Sequence, residues 1–215
     1  MEALRSMVAR PRQRTRRNVS AKETIANANA MEDPFAELHM TMELPYSRLS
    51  EIRLRWKSGP SLSNTEREWM LKSVAELKGY YEKSIMEWDE AEKQRDLRHP
   101  QQRFLIASHE MFGEHMAFLS FRWDLEEGEP IMYVYELGVA EEARGNRLGF
   151  ALMRYAEDLN RKLFIESIML TVFNNNSPAV RLYRDKLKYQ IDASSPSQHD
   201  YDGVGYEILS KRIHS

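Results

Sequence analysis

The residue types best suited to chemistry gather where Tyr133-Val-Tyr-Glu-Leu-Gly-Val139 runs into Ala140-Glu-Glu-Ala-Arg-Gly-Asn-Arg-Leu-Gly149 and then into a helix-forming segment. A Gly-containing turn from strand to helix leaves amides unpaired at the helix N-terminus, where their partial positive charge can grip a phosphate. Arg144 and Arg147, set around Gly145 and Asn146 and followed by Leu148, Gly149 and Phe150, add two guanidiniums to those amides. The spacing is neither that of a P-loop nor that of the three-glycine dinucleotide fingerprint, so ATP and NAD are poorly supported. Read alone, the stretch is more readily a glycine-assisted strand-to-helix turn. Asp124 and Glu126 form a second group, two residues apart and hence on one strand face, or else simply a solvated hairpin end.

Elements able to hold these groups can be read from periodicity. Ser20-x-x-Glu23 is a capping-box pattern ahead of a short helix to Met31, with Pro34 ending it. Glu51-Ile-Arg-Leu-Arg-Trp56 alternates as a strand. A second box, Ser63-x-x-Glu66, opens an amphipathic run through Trp69, Met70, Val74, Leu77, Tyr81, Ile85 and Trp88, one long helix with a candidate break at Gly79. Residues 103–108, 115–125 and 131–139 then predict an antiparallel meander, with Met111-Phe-Gly-Glu114 as its first turn. The remainder alternates: helix over 147–160, strand over 167–173, helix over 178–187, strand over 206–210. The fold class is α/β or α+β, a mixed sheet flanked by helices, divided into a basic arm (1–20), an N-terminal helical segment (21–49) and the main domain (50–215).

Composition bounds the chemistry. Absence of cysteine among 215 residues excludes disulfides, thiolate zinc sites and a cysteine acyl intermediate. Six histidines show no metal-ligand spacing, and no metal is expected. The net charge of -2 averages a basic start, seven Lys/Arg against two Glu in the first 30 residues, with a body that carries seven net negative charges. The cluster Arg10-Pro-Arg-Gln-Arg-Thr-Arg-Arg17 reads as a nuclear import signal, a nucleic-acid or ribosome contact, a mitochondrial presequence or a solvated tail. No apolar run reaches the roughly 18 residues that span a bilayer, so membrane association is not expected.

The strand, the Arg-x-x-x-Leu-Gly loop and the helix after it resemble the acetyl-CoA pyrophosphate site of the GNAT acetyltransferases. Asn174-Asn-Asn-Ser-Pro-Ala-Val-Arg-Leu-Tyr183, following Met169-Leu-Thr-Val-Phe173, resembles that family's second element, a strand, an Asn and a helix bearing an aromatic near the CoA sulfur. Arg147 stands where the family usually has Gly. Phe121-Arg-Trp-Asp-Leu-Glu126, Tyr133-Val-Tyr-Glu136, Ile191-Asp-Ala-Ser-Ser-Pro-Ser197 and Tyr206-Glu-Ile-Leu-Ser210 resemble more narrowly the N-alpha-acetyltransferase D family, over roughly residues 50–212. Members of that family acetylate the N-terminal amine of histones 4 and 2A, which begin Ser-Gly-Arg-Gly.

Several roles follow from the resemblance. Acetyl-CoA is the expected co-substrate, held by Leu137, Gly138, Val139, Arg144, Gly145, Asn146, Arg147, Leu148, Gly149, Phe150 and Asn176. Glu136 is the expected base, acting through a water on an α-amine whose pKa of about 7.7–8.0 needs only modest help. By plain alternation Glu136 would point away from Tyr133 and Tyr135, so a bulge must rotate it, and Gly138 is the candidate position. The competing reading of Glu136 is a strand carboxylate bridged to an Arg. Tyr183 is a candidate acid for the leaving thiolate, or a core aromatic, and Tyr135 joins the catalytic group. Tyr81, Asp124, Glu126, Tyr133, Tyr135, Thr171 and Tyr206 are expected to line the peptide cleft, the two carboxylates meeting the Arg of Ser-Gly-Arg-Gly. Met86 replaces one Trp of the family's Trp-x-Trp. Histone tails are the expected partners, with the ribosome a further one through the arm and no sequence-specific nucleic acid, which places the protein in nucleus and cytoplasm. The alternatives are a GNAT acting on lysine or a polyamine, and a non-catalytic GNAT-fold module that binds histones or ribosomes.

Overall fold

The computed structural model describes residues 19–109, 115–199 and 203–213; the Arg10–Arg17 cluster and the Met111–Glu114 turn lie outside them. Seven strands form one sheet in the order β1-β2-β3-β4-β5-β7-β6: Ile52–Ser58, Arg103–His109, His115–Glu126, Glu129–Val139, Ser167–Phe173, Gln190–Ile191 (β6) and Tyr206–Arg212 (β7). Pairing is antiparallel except between β4 and β5. Glu127 and Gly128, both at positive φ (50° and 86°), make the two-residue turn from β3 to β4. That is the backbone a tight hairpin requires.

The two faces of the sheet are covered differently. On one, Leu105, Leu119, Phe121, Trp123, Met132 and Val134 pack with Leu148, Leu152, Tyr155 and Leu159 of α6 (Leu148–Leu163), and Ala28 of α1 (Ala21–Ala30) enters the same core. On the other, Phe104, Ile106 and Phe118 pack with Met70 and Val74 of α3 (Asn64–Ala75) and Leu97 of α5 (Glu90–Arg98). Glu157 of α6 is fully buried and is paired with Lys211 and Arg154, both at 2.7 Å.

Helix boundaries depart from the periodicity in instructive ways. Ser20 does cap α1, accepting from the Glu23 amide, but Pro34 opens a helix rather than only ending one. It occupies the first position of α2 (Pro34–Glu37), where its missing N–H costs nothing and Asp33 accepts from the Phe35 and Ala36 amides. The Ser63 box forms as expected, with Glu66 Oε2 2.7 Å from the Ser63 amide and Ser63 Oγ 3.1 Å from the Glu66 amide. The helix it starts does not reach Trp88. It stops at Ala75, before the expected break at Gly79, resumes as the single turn α4 (Lys78–Tyr81), and gives way to an irregular stretch that ends at Asp89. Tyr80 and Tyr81 thereby both pack on Phe173, at 6.2 and 4.7 Å between ring centroids.

Helix α5 is not signalled by apolar period, since among its residues only Leu97 is buried. Its polarity was the available signal. Asp89 caps it, Glu90 and Glu92 occupy the first turn and Arg95 and Arg98 the last, matching the helix dipole. The expected helix over 178–187 is α7 (Ser177–Val180) continued by a π-helical turn, Arg181–Lys186, and the short strand β6 follows. An inserted π turn changes the side-chain phase along a helix and is frequent at functional sites.

Candidate active site

The site is organised by an irregularity in β4. Ser120 pairs with Glu136 and the next residue, Phe121, with Val134, so Tyr135 is the extra residue of a bulge. The bulge therefore lies at Tyr135, not at Gly138 as the glycine suggested. Its effect is the one required: Tyr133, Tyr135 and Glu136 now share the face covered by α3 and α5. Pairing of β4 with β5 covers only Ile131 to Val134, so beyond the bulge the two parallel strands part. Gly138 has another reason to be glycine. A Cβ there would stand 2.3 Å from Phe118 Cε1 and 2.7 Å from Ser73 Oγ, closer than any side chain tolerates.

Between the parted strands opens a cleft of about 780 Å³, floored by Glu136, Leu137, Gly138 and Val139. Arg144, Gly145, Arg147, Leu148, Gly149 and Phe150 form one wall, and Asn176, Ala179 and Tyr183 another. Gly145 (φ 80°) and Arg147 (φ 64°) both adopt left-handed backbone to turn the loop into α6. No side chain caps that helix, and its first residues, Leu148, Gly149 and Phe150, line the cleft, the arrangement that an anion site at a helix start requires. Arg147 lies 5.0 Å from the centre of the Phe150 ring. Arg144 donates to Val139 O at 3.2 Å and to Glu76 at 2.5 Å. Asn146, unlike its neighbours, does not line the cleft. It braces the loop, donating to Ala143 O at 3.2 Å and accepting on its own carbonyl from the Arg48 amide at 3.0 Å. Asn176 caps α7 through Oδ1, 3.3 Å from the Ala179 amide.

These residues suit a pantetheine thioester carrying phosphates. The parted strand offers unpaired backbone groups to the amide-containing arm, and the loop offers amides and guanidiniums to the phosphates. Sequence reasoning missed several lining residues, among them Arg48, Ser73, Glu76 and Lys186. Each comes from a segment remote from the loop, and for Arg48, Ser73 and Glu76 nothing in the neighbourhood marks it.

Side chains dominate the opposite side. Tyr133 and Thr171 hydroxyls lie 2.6 Å apart, and Tyr133 stands 5.4 Å from Tyr135, ring to ring. Tyr206 lies at the start of β7, opposite Phe173, near enough to Tyr133 to help raise its phenol pKa, though burial is the main cause. Arg122 stacks on Tyr135 at 4.4 Å and pairs with Asp96 at 2.6 Å. Asp124 and Glu126 are exposed on β3, each adding negative potential at the tyrosine pair, Asp124 at Tyr135 and Glu126 at Tyr133. Tyr81 is buried between Trp88 and Phe173. Met86 is partly exposed, and Trp88 takes the place against Tyr81.

Glu136 is bridged, but to a lysine and not to an arginine. Lys93 Nζ of α5 lies 2.8 Å from Oε1, and the absence of a recognisable α5 hid this partner. Burial raises the Glu136 pKa above the usual carboxylate range, Lys93 opposes the rise and Asp96 adds to it. Tyr183 is buried at the cleft wall with its phenol pKa well above the ordinary value, through burial first and the nearby Glu136 charge second. A void of about 10 Å³ beside Glu136, lined also by Lys93, Asp96, Ser120 and Tyr135, is of the size that admits one water. Among the described residues no group of three or more His, Asp or Glu could hold a metal ion, and no helix is long and apolar enough to cross a membrane.

A mixed sheet parted beside a bulge, with a helix start lining the gap, makes a site suited to a phosphate-bearing acyl donor. The chain belongs to the acetyltransferase (GNAT) family, whose model matches residues 66–189, more than half of its length. Among solved structures, Arabidopsis thaliana NAA60 in complex with a bisubstrate analogue is similar at a TM-score of 0.55 and 12% identity, over 75% of this chain and 99% of that one. The NatC complex bound to Gag peptide and CoA matches at 0.51 and 17%, over 75% and 99%. The ribosomal-protein-S18-alanine N-acetyltransferase of Escherichia coli matches at 0.50 and 17%, over 75% and 95%. At these identities the likeness is one of fold. The chemistry of the family is acetyl-CoA-dependent acyl transfer.

Proposed function

We propose that this protein is an N-terminal acetyltransferase that moves the acetyl group of acetyl-CoA onto the free α-amine of chains beginning Ser-Gly-Arg-Gly, the start of histones 4 and 2A. The observation that carries the reading is the β4 bulge. It turns Tyr133, Tyr135 and Glu136 to one face, on the same two-strand ladder as the exposed carboxylates Asp124 and Glu126. A buried base beside the gap serves the amine, and the two carboxylates, a few residues away, serve a guanidinium two residues into the peptide.

Both substrates occupy the cleft together, since the chain has no thiol to carry the acetyl group. Acetyl-CoA supplies the activated carbonyl. The amides of α6, with Arg144 and Arg147, hold its phosphates, and Leu137, Gly138 and Val139 align its arm. Glu136 receives the amine proton through a water of the size that the adjoining void admits. The amine nitrogen then bonds to the carbonyl carbon as the carbon–sulfur bond breaks, and the thiolate takes a proton from the Tyr183 hydroxyl or from water. Tyr183, with its raised pKa, stays protonated at neutral pH and so has a proton to give.

The test is mass spectrometry of a mixed peptide library incubated with acetyl-CoA and the purified chain. Acetylation confined to peptides with a free α-amine and a Ser-Gly-Arg-Gly start is expected. Equal acetylation of a peptide blocked at its α-amine would assign the activity to lysine, and no product from any peptide would leave a binding module. The proposed substrates place the protein in nucleus and cytoplasm, the basic arm serving import or ribosome contact.

A further inference from the structure

Lys93 is a largely buried cation beside the proposed reaction centre. Its ammonium lies 2.8 Å from Glu136 Oε1, with the two side chains only 18% and 11% exposed, and 5.3 Å from the centre of the Tyr81 ring. Removing an ammonium and a carboxylate from water is costly, and such a pair persists only where each satisfies the other. The groups around Glu136 come from every element packed there. Lys93 and Asp96 belong to α5, Tyr81 to α4, Tyr183 to the π turn, and Tyr135 to β4 itself. Arg122 of β3 is held instead by Asp96 and by Gln102, both at 2.6 Å.

We propose that Lys93 is a positioning residue for Glu136, holding the carboxylate ionised and in one orientation at the β4 bulge so that it can accept the amine proton. This rests on the reading of Glu136 as base. Without a cation here, burial and the Asp96 charge would both favour the protonated acid, which can accept nothing. Lys93 itself stays charged: burial favours the neutral amine, but Glu136 and Tyr81 together outweigh it and the pKa ends above the ordinary lysine value. The sign follows. Loss of the Lys93 charge raises the Glu136 pKa, so activity falls most on the acid side and returns as pH rises through the new value.

The full chain is assayed with saturating acetyl-CoA and a Ser-Gly-Arg-Gly peptide from about pH 6 to about pH 9. Lys93→Met is expected to lose about tenfold or more at the acid end, one pKa unit being a factor of ten, and to approach wild type at the alkaline end. Lys93→Arg should keep the wild-type profile. A uniform loss at every pH, or no loss, overturns the inference, because a purely structural lysine would not move the profile. Should Lys93→Met not fold, infrared spectra of the wild type with labelled glutamate decide. The band missing from Glu136→Gln must be a carboxylate near neutral pH, and a protonated acid there overturns the proposal. Full activity in Glu136→Gln removes the base assignment and this inference with it. An inactive Glu136→Gln beside an unshifted Lys93→Met removes the inference alone.

Discussion

The two sides of the cleft are built in different ways. The proposed co-substrate side is largely one continuous segment, residues 137–150, and is built mainly from backbone: a parted strand, two left-handed residues and the uncapped start of α6. The proposed acceptor side is assembled from side chains on α4, α5, β3, β4, β5 and β7, brought together over large sequence separations. Backbone sites tolerate exchange of side chains but not added atoms where the chain runs close. Side-chain sites depend on each group's charge and position.

This contrast can be broken at four points. Glu136→Gln, nearly isosteric, should lower kcat by about a hundredfold to ten-thousandfold while leaving acetyl-CoA binding by calorimetry unchanged. Gly138→Val sits on the backbone side and should be severe for a different reason. Its branched side chain meets Phe118 and Ser73, destabilising the fold by about 1–3 kcal/mol, read as a Tm several degrees lower and weaker acetyl-CoA binding. The pair Asp124→Asn and Glu126→Gln should raise the peptide KM about tenfold, and the effect should vanish on a peptide with Ala in place of its Arg. Arg147→Gly should do least. It relieves a left-handed residue but frees the unfolded chain, so stability stays within about 0.5 kcal/mol and the acetyl-CoA KM rises no more than a fewfold. A large loss in Arg147→Gly would show that the guanidinium, not the amides, carries the phosphate site.

What each side owes to sequence follows from the same difference. The co-substrate loop was legible because its strand, glycine turn and helix are adjacent, and local pattern reports on adjacent residues. Asn146 is the exception: it stands apart from the cleft lining and braces the loop, through bonds to Ala143 and the Arg48 segment that are invisible to spacing. On the acceptor side the residue types were legible and their partners were not. Lys93 belongs to a helix without an apolar period, where charge polarity was the only mark. The break falls after Ala75 and not at Gly79, and spacing could not show it, since Tyr81 keeps helical spacing with Leu77 across the single turn α4 that follows the interruption.

By itself the sequence determined every strand but the short β6, the Ser20 and Ser63 caps, the glycine turn into α6 and the set of groups proposed for catalysis, all of which depend on spacing along a few neighbouring residues. Only the tertiary structure decided that the bulge falls at Tyr135, that β4 and β5 part beyond Val134, and that the ion partner of Glu136 is Lys93. Register between strands and burial of a charge are properties of what lies opposite, and in this chain the opposite groups come from elsewhere in the sequence.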